Sequence, residues 1–78
     1  MIANKMFKKL GFIEIETNDK RCIFTNDKKD ISIGFLMYPD SNMIWIRGIK
    51  EDRTRAIGFE VLKAVNKKCE ELMECYGD

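Results

Sequence analysis

Apolar residues at the start of the chain recur with the period of an α-helix. Spacings of three and four residues relate the members of this set: Ile2, Ala3, Met6, Phe7 and Leu10. Lys8 and Lys9 place positive charge near the end of the segment, where the helix dipole is negative. Gly11 follows, at the position where a left-handed residue commonly ends a helix. The pattern predicts one amphipathic helix that ends at Leu10.

The period changes to two after Gly11, which is typical of β-strands. Four short segments show this alternation: 12–16, 21–25, 31–38 and 43–47. The sequences between them are TNDK, NDKKD and PDSN, whose Asn, Asp and Pro residues favour turns. Because these turns are short, successive strands should pair as hairpins in an antiparallel meander.

Strand alternation divides the apolar side chains between two faces of the predicted sheet. The inner face should carry Ile13, Ile15, Cys22, Phe24, Ile31, Ile33, Phe35, Met37, Ile44 and Ile46. The outer face should carry Phe12, Ile23, Leu36, Tyr38, Met43 and Trp45. This outer set is large for the surface of a monomer. A partner protein, a second protomer in a homodimer through the outer sheet face, or one helix crossing to that face would cover it, and we favour the partner.

The helical period returns near the end of the chain. From residue 59 to residue 76 the apolar positions form one broad stripe: Val61, Leu62, Val65, Cys69, Leu72, Met73 and Tyr76. Gly58 is the predicted N-cap, and Thr54 is an alternative about one turn earlier. Because both terminal helices must bury an apolar stripe, they should pack on one face of the sheet. We therefore predict a single α+β domain over residues 1–78, a four-stranded antiparallel β-meander with an N-terminal and a C-terminal helix (α-β-β-β-β-α).

Composition narrows the classes of partner. Hydrophobic residues make up 45% and charged residues 35% of the chain, which is typical of a folded domain. Fourteen Lys and Arg residues stand against 13 Asp and Glu, for a net charge of +1, so no global field attracts nucleic acid or an anionic membrane. A signal peptide and a long apolar run are both missing, and the three cysteines show no CxxC spacing. We expect a cytoplasmic protein with reduced thiols and no membrane association.

Residue types that carry catalysis are scarce. The chain has no histidine and no glycine-rich phosphate motif, which removes the common hydrolase and nucleotide-binding templates. Cys22, Cys69 and Cys75, with Glu70 or Glu74, would make only an unusual zinc site, because their spacing matches no familiar pattern. Buried small apolar side chains are the favoured interpretation of Cys22 and Cys69. We expect no enzymatic activity, no cofactor and no metal.

The best candidate for a functional site is the end of the fourth strand and the segment that follows it. The sequence RGIKEDRTR, residues 47–55 (the basic segment), begins two residues after Trp45, the only tryptophan. The predicted binding residues are Tyr38, Met43, Trp45, Arg47, Lys50, Arg53 and Arg55. Tryptophan and arginine dominate many protein interfaces, and together they also stack on bases and hold phosphate. The alternative interpretation of the basic segment is a solvated connector with Trp45 packed beneath it.

Three segments resemble a known group of proteins. They are AxxMFxxLGF at residues 3–12, DISIGF at 30–35 and LKAVNKKCEEL at 62–72. The chain is similar to small uncharacterised proteins from phages and prophages of Firmicutes, although it has MECY at 73–76 where these often finish with Gly-Trp. The resemblance implies an origin in a mobile element. It also implies a role in binding and blocking or redirecting a host protein, as inhibitors of CRISPR and other defence systems do.

These observations lead to two functional hypotheses. The first is a non-enzymatic phage or prophage protein that binds a host or phage protein stoichiometrically, with inhibition of a host defence system (an anti-CRISPR-like role) as one form. The second is a nucleic-acid-binding accessory protein that uses Trp45 and the basic segment. The near-neutral isoelectric point of about 7.7 makes nucleic acid the less favoured partner.

Overall fold

The structure, a computed structural model, describes residues 2–37, 43–51 and 53–76, with the backbone alone at 75 and 76. Its elements in chain order are α1 (Ile2–Lys9), β1 (Ile13–Thr17), β2 (Arg21–Asn26), β3 (Ile31–Leu36), β4 (Met43–Arg47) and α2 (Phe59–Tyr76). The predicted order α-β-β-β-β-α is therefore confirmed. Among the described residues, none of the helices has the length and apolar character needed to cross a membrane.

The four strands form one antiparallel sheet in the order β1-β2-β3-β4. Each strand pairs with its neighbour in sequence, so the predicted meander is confirmed. Two rows of paired residues cross the sheet: Phe24, Ile33 and Ile46 in one, and Ile23, Gly34 and Trp45 in the other. Because direct partners lie on the same side of a sheet, these rows define two faces, the Phe24 face and the Trp45 face.

The Phe24 face is mostly apolar. By register and alternation it carries seven of the residues predicted for the inner face: Cys22, Phe24, Ile31, Ile33, Phe35, Ile44 and Ile46. Phe24 and Ile33 are fully buried, and the rings of Phe24 and Phe35 meet edge to face, with centroids 6.0 Å apart. Such edge-to-face pairs add stability beyond the area they bury. The shared face of these seven residues is confirmed.

The prediction was wrong for β1, because the strand contains a β-bulge between Glu14 and Glu16. Ile13 pairs with Thr25 and so lies on the Trp45 face, while Glu14 pairs with Phe24. Ile13 and Ile15 are 63% and 60% exposed. The bulge inserts one extra residue, and simple alternation fails across such an insertion.

Three further expectations about the sheet are revised or remain open. Phe12, predicted for the outer face, is buried, so it adds nothing to an exposed surface. β3 ends at Leu36, and the half-buried Met37 follows with its N–H donated to the Lys20 carbonyl at 2.8 Å. Tyr38 lies outside the described residues.

The chain divides into two compact units, a helix pair (Met1–Gly11 and Ile57–Asp78) and the sheet (Phe12–Ala56). In the helix pair, α1 packs on α2 and buries Ala3 and Phe7 completely. Gly11 follows α1 with a φ of 90°, in the left-handed region where glycine is favoured. The predicted end of the helix is thus correct to within one residue.

The second helix begins at Phe59, and the Leu62 N–H donates to the Gly58 carbonyl at 3.1 Å. This bond places Gly58 at the predicted N-cap. The alternative cap was wrong, because Thr54 instead forms a β-bridge with Arg47.

The broad apolar stripe predicted for α2 was wrong in two of its members and missed several others. Leu62 is 44% exposed and Met73 is 66% exposed. The buried residues of α2 are Val61, Ala64, Val65, Lys68 and Glu71. The two buried polar residues were unexpected, and both bond to α1: Lys68 Nζ donates to Asn4 Oδ1 at 3.0 Å, and Glu71 Oε2 accepts the Ala3 N–H at 3.1 Å.

Candidate binding surface

Trp45 lies on β4 directly across from Gly34 of β3. A Cβ atom built at position 34 would overlap the indole atoms Cε2 and Cζ2. The ring therefore occupies the space that a side chain at position 34 would need. Glycine within a strand often marks such a close approach. Trp45 is half-buried as a result, with β3 supporting its ring.

Arg47 follows Trp45 on the same face of β4. Its guanidinium Cζ lies 4.1 Å from the centroid of the indole ring, which is the geometry of a cation–π interaction. The exposed Arg47 and the half-buried Trp45 thus form one stacked unit on the sheet. Both groups are presented on a strand, so their positions are set by backbone pairing with β3.

Apolar side chains extend this unit across the Trp45 face. Met43, two residues before Trp45, is 60% exposed, and its strand partner Leu36 is half-buried. Ile23, also half-buried, pairs with Gly34 on the far side of β3. We define the Trp45 surface as Ile23, Leu36, Met43, Trp45 and Arg47.

An ion pair borders the Trp45 surface at the β1–β2 hairpin. Arg21 Nε donates to Glu16 Oε2 at 2.6 Å, and the strand partners of these residues are Leu36 and Ile23. The hydrogen bond and charge of Arg21 lower the pKa of the Glu16 carboxyl below its ordinary value. The apolar centre of the surface therefore has a charged rim, the arrangement typical of protein interfaces.

Backbone hydrogen bonds hold the described residues at the start of the basic segment. Asp30 Oδ1 accepts the N–H groups of Ile49 and Lys50 at 3.1 and 3.0 Å. These bonds, with that of Lys50 contributing most, lower the pKa of Asp30. The Gly48 N–H donates to the Arg53 carbonyl at 2.8 Å, and a Cβ at position 48 would lie 2.5 Å from the Glu51 carbonyl oxygen. Position 48 therefore has no room for a side chain.

The structure brings only part of the predicted site together. Met43, Trp45 and Arg47 share the Trp45 surface. Arg53 and Arg55 instead line an open depression with Thr54 and Ala56.

The predicted basic residues other than Arg47 form hydrogen bonds or ion pairs within the sheet unit. Arg55 Nη2 donates to the Lys29 carbonyl at 3.2 Å, and Arg53 Nε lies 3.3 Å from Glu51 Oε2 on the surface. The exposed Lys50 is tied through its backbone to Asp30. Arg53 and Arg55 thus already have partners within the sheet unit.

Two residues that shape this region were missed by sequence reasoning. Gly34 interrupts a strand pattern, and that interruption is a usable signal for close backbone approach. Asp30 adopts a φ of 56°, in a region that aspartate tolerates better than most residues. Its contact with residues 49 and 50 spans about 20 positions, and no local sequence signal reveals such a contact.

The cysteines offer little chemistry in the described part of the chain. Cys22 is buried in β2, and burial raises the pKa of the half-buried Cys69 thiol, which disfavours the reactive thiolate. The side chain of Cys75 lies outside the description. Among the described residues, no three His, Cys, Asp or Glu side chains are grouped so as to hold a metal ion.

No protein-family model, curated protein or solved structure matches the chain significantly. The basis for its function is therefore the arrangement of its own residues.

Proposed function

We propose that the protein is a non-enzymatic binding protein that engages a partner protein stoichiometrically through the Trp45 surface. The observation that carries this proposal is the stacked Trp45–Arg47 unit on the Gly34 backbone, beside the exposed Met43. Tryptophan, methionine and arginine are enriched at protein interfaces, and tryptophan and arginine are frequent hot spots.

The support beneath Trp45 favours binding in a second way. A side chain that is already held in one position loses little conformational freedom when a partner docks. The ring of Trp45 is held by β3 on a rigid strand, and Arg47 lies on the ring before any partner arrives. We infer that the partner contributes an apolar contact for Met43 and Trp45.

The origin and setting of this interaction are proposed from the sequence resemblance alone. The resemblance to phage and prophage proteins of Firmicutes supports a host or phage protein as the partner, in the cytoplasm of the host cell. Inhibition of a host defence system, in the manner of an anti-CRISPR protein, is the specific form that we propose for this role.

The proposal is tested by comparative affinity capture. Wild type, Met43→Ala and Trp45→Ala serve as bait in a host lysate, with Ile15→Ala as the control, since Ile15 is as exposed as Met43 but lies on β1, at the opposite edge of the sheet. A partner should be retained by wild type and by Ile15→Ala and lost from the other two variants. Thermal melts of all four baits establish that they are folded. Equal capture by folded Met43→Ala and Trp45→Ala would refute the proposal.

Nucleic-acid binding is the second candidate. The Trp45–Arg47 stack and the depression lined by Arg53 and Arg55 favour it, because arginine and aromatic groups together bind bases and phosphate. Against it, Arg53 is paired with Glu51, and Arg55 is bonded to a backbone carbonyl.

A salt titration separates the two candidates. Anisotropy of labelled single-stranded DNA and RNA is measured against protein at several salt concentrations. Phosphate binding predicts an affinity that falls steeply with salt, with a slope that Arg47→Ala flattens by about one unit. An absence of binding at low salt would eliminate the nucleic-acid hypothesis.

A further inference from the structure

A second apolar stripe runs along α2, distinct from its buried side. Phe59 is 86%, Leu62 44% and Met73 66% exposed. The exposed Asn66 and the half-buried Cys69 lie between them on the same line. The spacings from Phe59 to Met73 are 3, 4, 3 and 4 residues, which is the pattern of the seam in a two-helix coiled coil.

The buried residues of α2 show that this stripe lies outside the contact with α1. At 100° per residue, the buried Val61, Ala64 and Lys68 point more than a quarter turn away from the line through Leu62 and Met73. The helix thus has one side that packs within the protein and another that presents large apolar groups to solvent. An exposed phenylalanine and methionine in line with a leucine are typical of an interaction site.

The charges beside the stripe identify what covers it. Lys63 directly follows Leu62, and Glu70 directly follows Cys69, so both lie on the same flank of the seam. Both are exposed, and Lys63 Nζ makes a long surface contact of 3.7 Å with Glu60 Oε1. Opposite charges on one flank, seven residues apart, match a second copy of the helix that runs in the opposite direction.

The register of such a pair follows from the seam. An antiparallel second copy that places its Met73 opposite Leu62, and its Cys69 opposite Asn66, also brings its Glu70 opposite Lys63. Two-fold symmetry repeats the charge pair at the other end of the contact. A parallel copy would instead place Glu70 opposite Val65 and Lys63 opposite Gly58, with no charge pairing. The charges therefore favour the antiparallel arrangement.

We propose that the protein forms a homodimer through α2, with two copies of the helix packed antiparallel along Phe59, Leu62, Asn66, Cys69 and Met73. The stripe is about 21 Å long, so the contact belongs to the small class of interfaces, and the dimer is weak and dissociates on dilution. The dimer carries two Trp45 surfaces and so binds a dimeric or repetitive partner with avidity.

Charge reversal tests both the interface and its direction. Lys63→Glu and Glu70→Lys are each examined by analytical ultracentrifugation in reductant, over a series of concentrations that brackets wild-type dimerisation. Each single variant should be monomeric where wild type is dimeric, because like charges then face each other twice. An equal mixture of the two variants should restore a dimer, and so should the double variant.

Three results would overturn the proposal. One is a wild-type protein that stays monomeric up to a protein concentration of about 1 mM. Another is dimerisation of both single variants as strong as that of wild type, which would indicate a parallel pair or a different surface. The third is failure of the mixture to restore the dimer.

Substitution in the seam gives an independent test. Met73→Glu should abolish the dimer, whereas Ile15→Glu, at a similarly exposed position in the sheet, should leave it intact. Circular dichroism confirms that both variants are folded. If Trp45→Ala abolished the dimer while Met73→Glu preserved it, the dimer would use the Trp45 surface and the role of α2 would be refuted. Partner capture by monomeric Met73→Glu separates this proposal from the proposed function.

Discussion

At the scale of single residues, the contact between Gly34 and Trp45 decides the form of the candidate surface. Alternation along β4 correctly placed Met43, Trp45 and Arg47 on one face. That Trp45 rests on the backbone of β3 could not be predicted, because it depends on the register between β3 and β4. Register is a property of two strands, and it is set by turns that the local pattern describes only roughly.

The substitution Gly34→Ala tests this contact. The new methyl group would overlap the indole, so we expect a loss of about 1–3 kcal/mol in the free energy of unfolding and a shift in Trp45 fluorescence. In the background of Trp45→Ala the same substitution should cost much less, since the overlapping ring is gone. Denaturant melts of the four proteins in this cycle provide the measurement. Additive costs would show that the two residues are not in contact.

Asp30 gives a prediction for the effect of pH. Backbone hydrogen bonds from Lys50 and Ile49 lower its pKa in the folded state, so the unfolded chain binds more protons in mild acid. The contribution of Asp30 is therefore fully present above the ordinary aspartate pKa of about 3.9 and is lost as pH falls through the lower folded value. Asn keeps an acceptor and tolerates the positive φ, which makes Asp30→Asn the matched variant. The difference in melting temperature between the two proteins should shrink between pH 6 and about pH 2, and a constant difference would contradict this role.

At the scale of elements, the periods of the sequence were enough to locate both helices and all four strands. They were not enough to assign faces wherever geometry departs from a simple repeat. The bulge in β1 changed the side on which Ile13 lies, and α2 carries two stripes that sequence alone merges into one. Buried polar groups such as Lys68 and Glu71 escape any hydrophobic pattern, because their partners are on the other helix.

Adjacent residues of α2 test the division into two stripes. Val61 is buried, so Val61→Ala should lower the free energy of unfolding by about 2 kcal/mol. Leu62→Ala should leave it nearly unchanged at low protein concentration, since Leu62 is 44% exposed and alanine favours helix. Thermal melts in dilute solution compare the two variants. A larger cost for Leu62→Ala than for Val61→Ala would show that Leu62 belongs to the core.

At the scale of the whole molecule, the protein has two candidate surfaces, one on each of its two compact units. The sheet unit carries the Trp45 surface, and the helix pair carries the exposed stripe of α2. Composition alone already indicated a folded domain without histidine. Surfaces of this kind specify the chemistry of a partner and not its identity.

The most direct test of the central claim is the affinity of the captured partner for wild type and Trp45→Ala, measured by calorimetry alongside melts of both proteins. We predict that Trp45→Ala weakens binding by about 2 kcal/mol or more, roughly 30-fold, while the variant remains folded. Ile15→Ala should bind as wild type does. Unchanged affinity for a folded Trp45→Ala would contradict the claim that this surface is the site of binding.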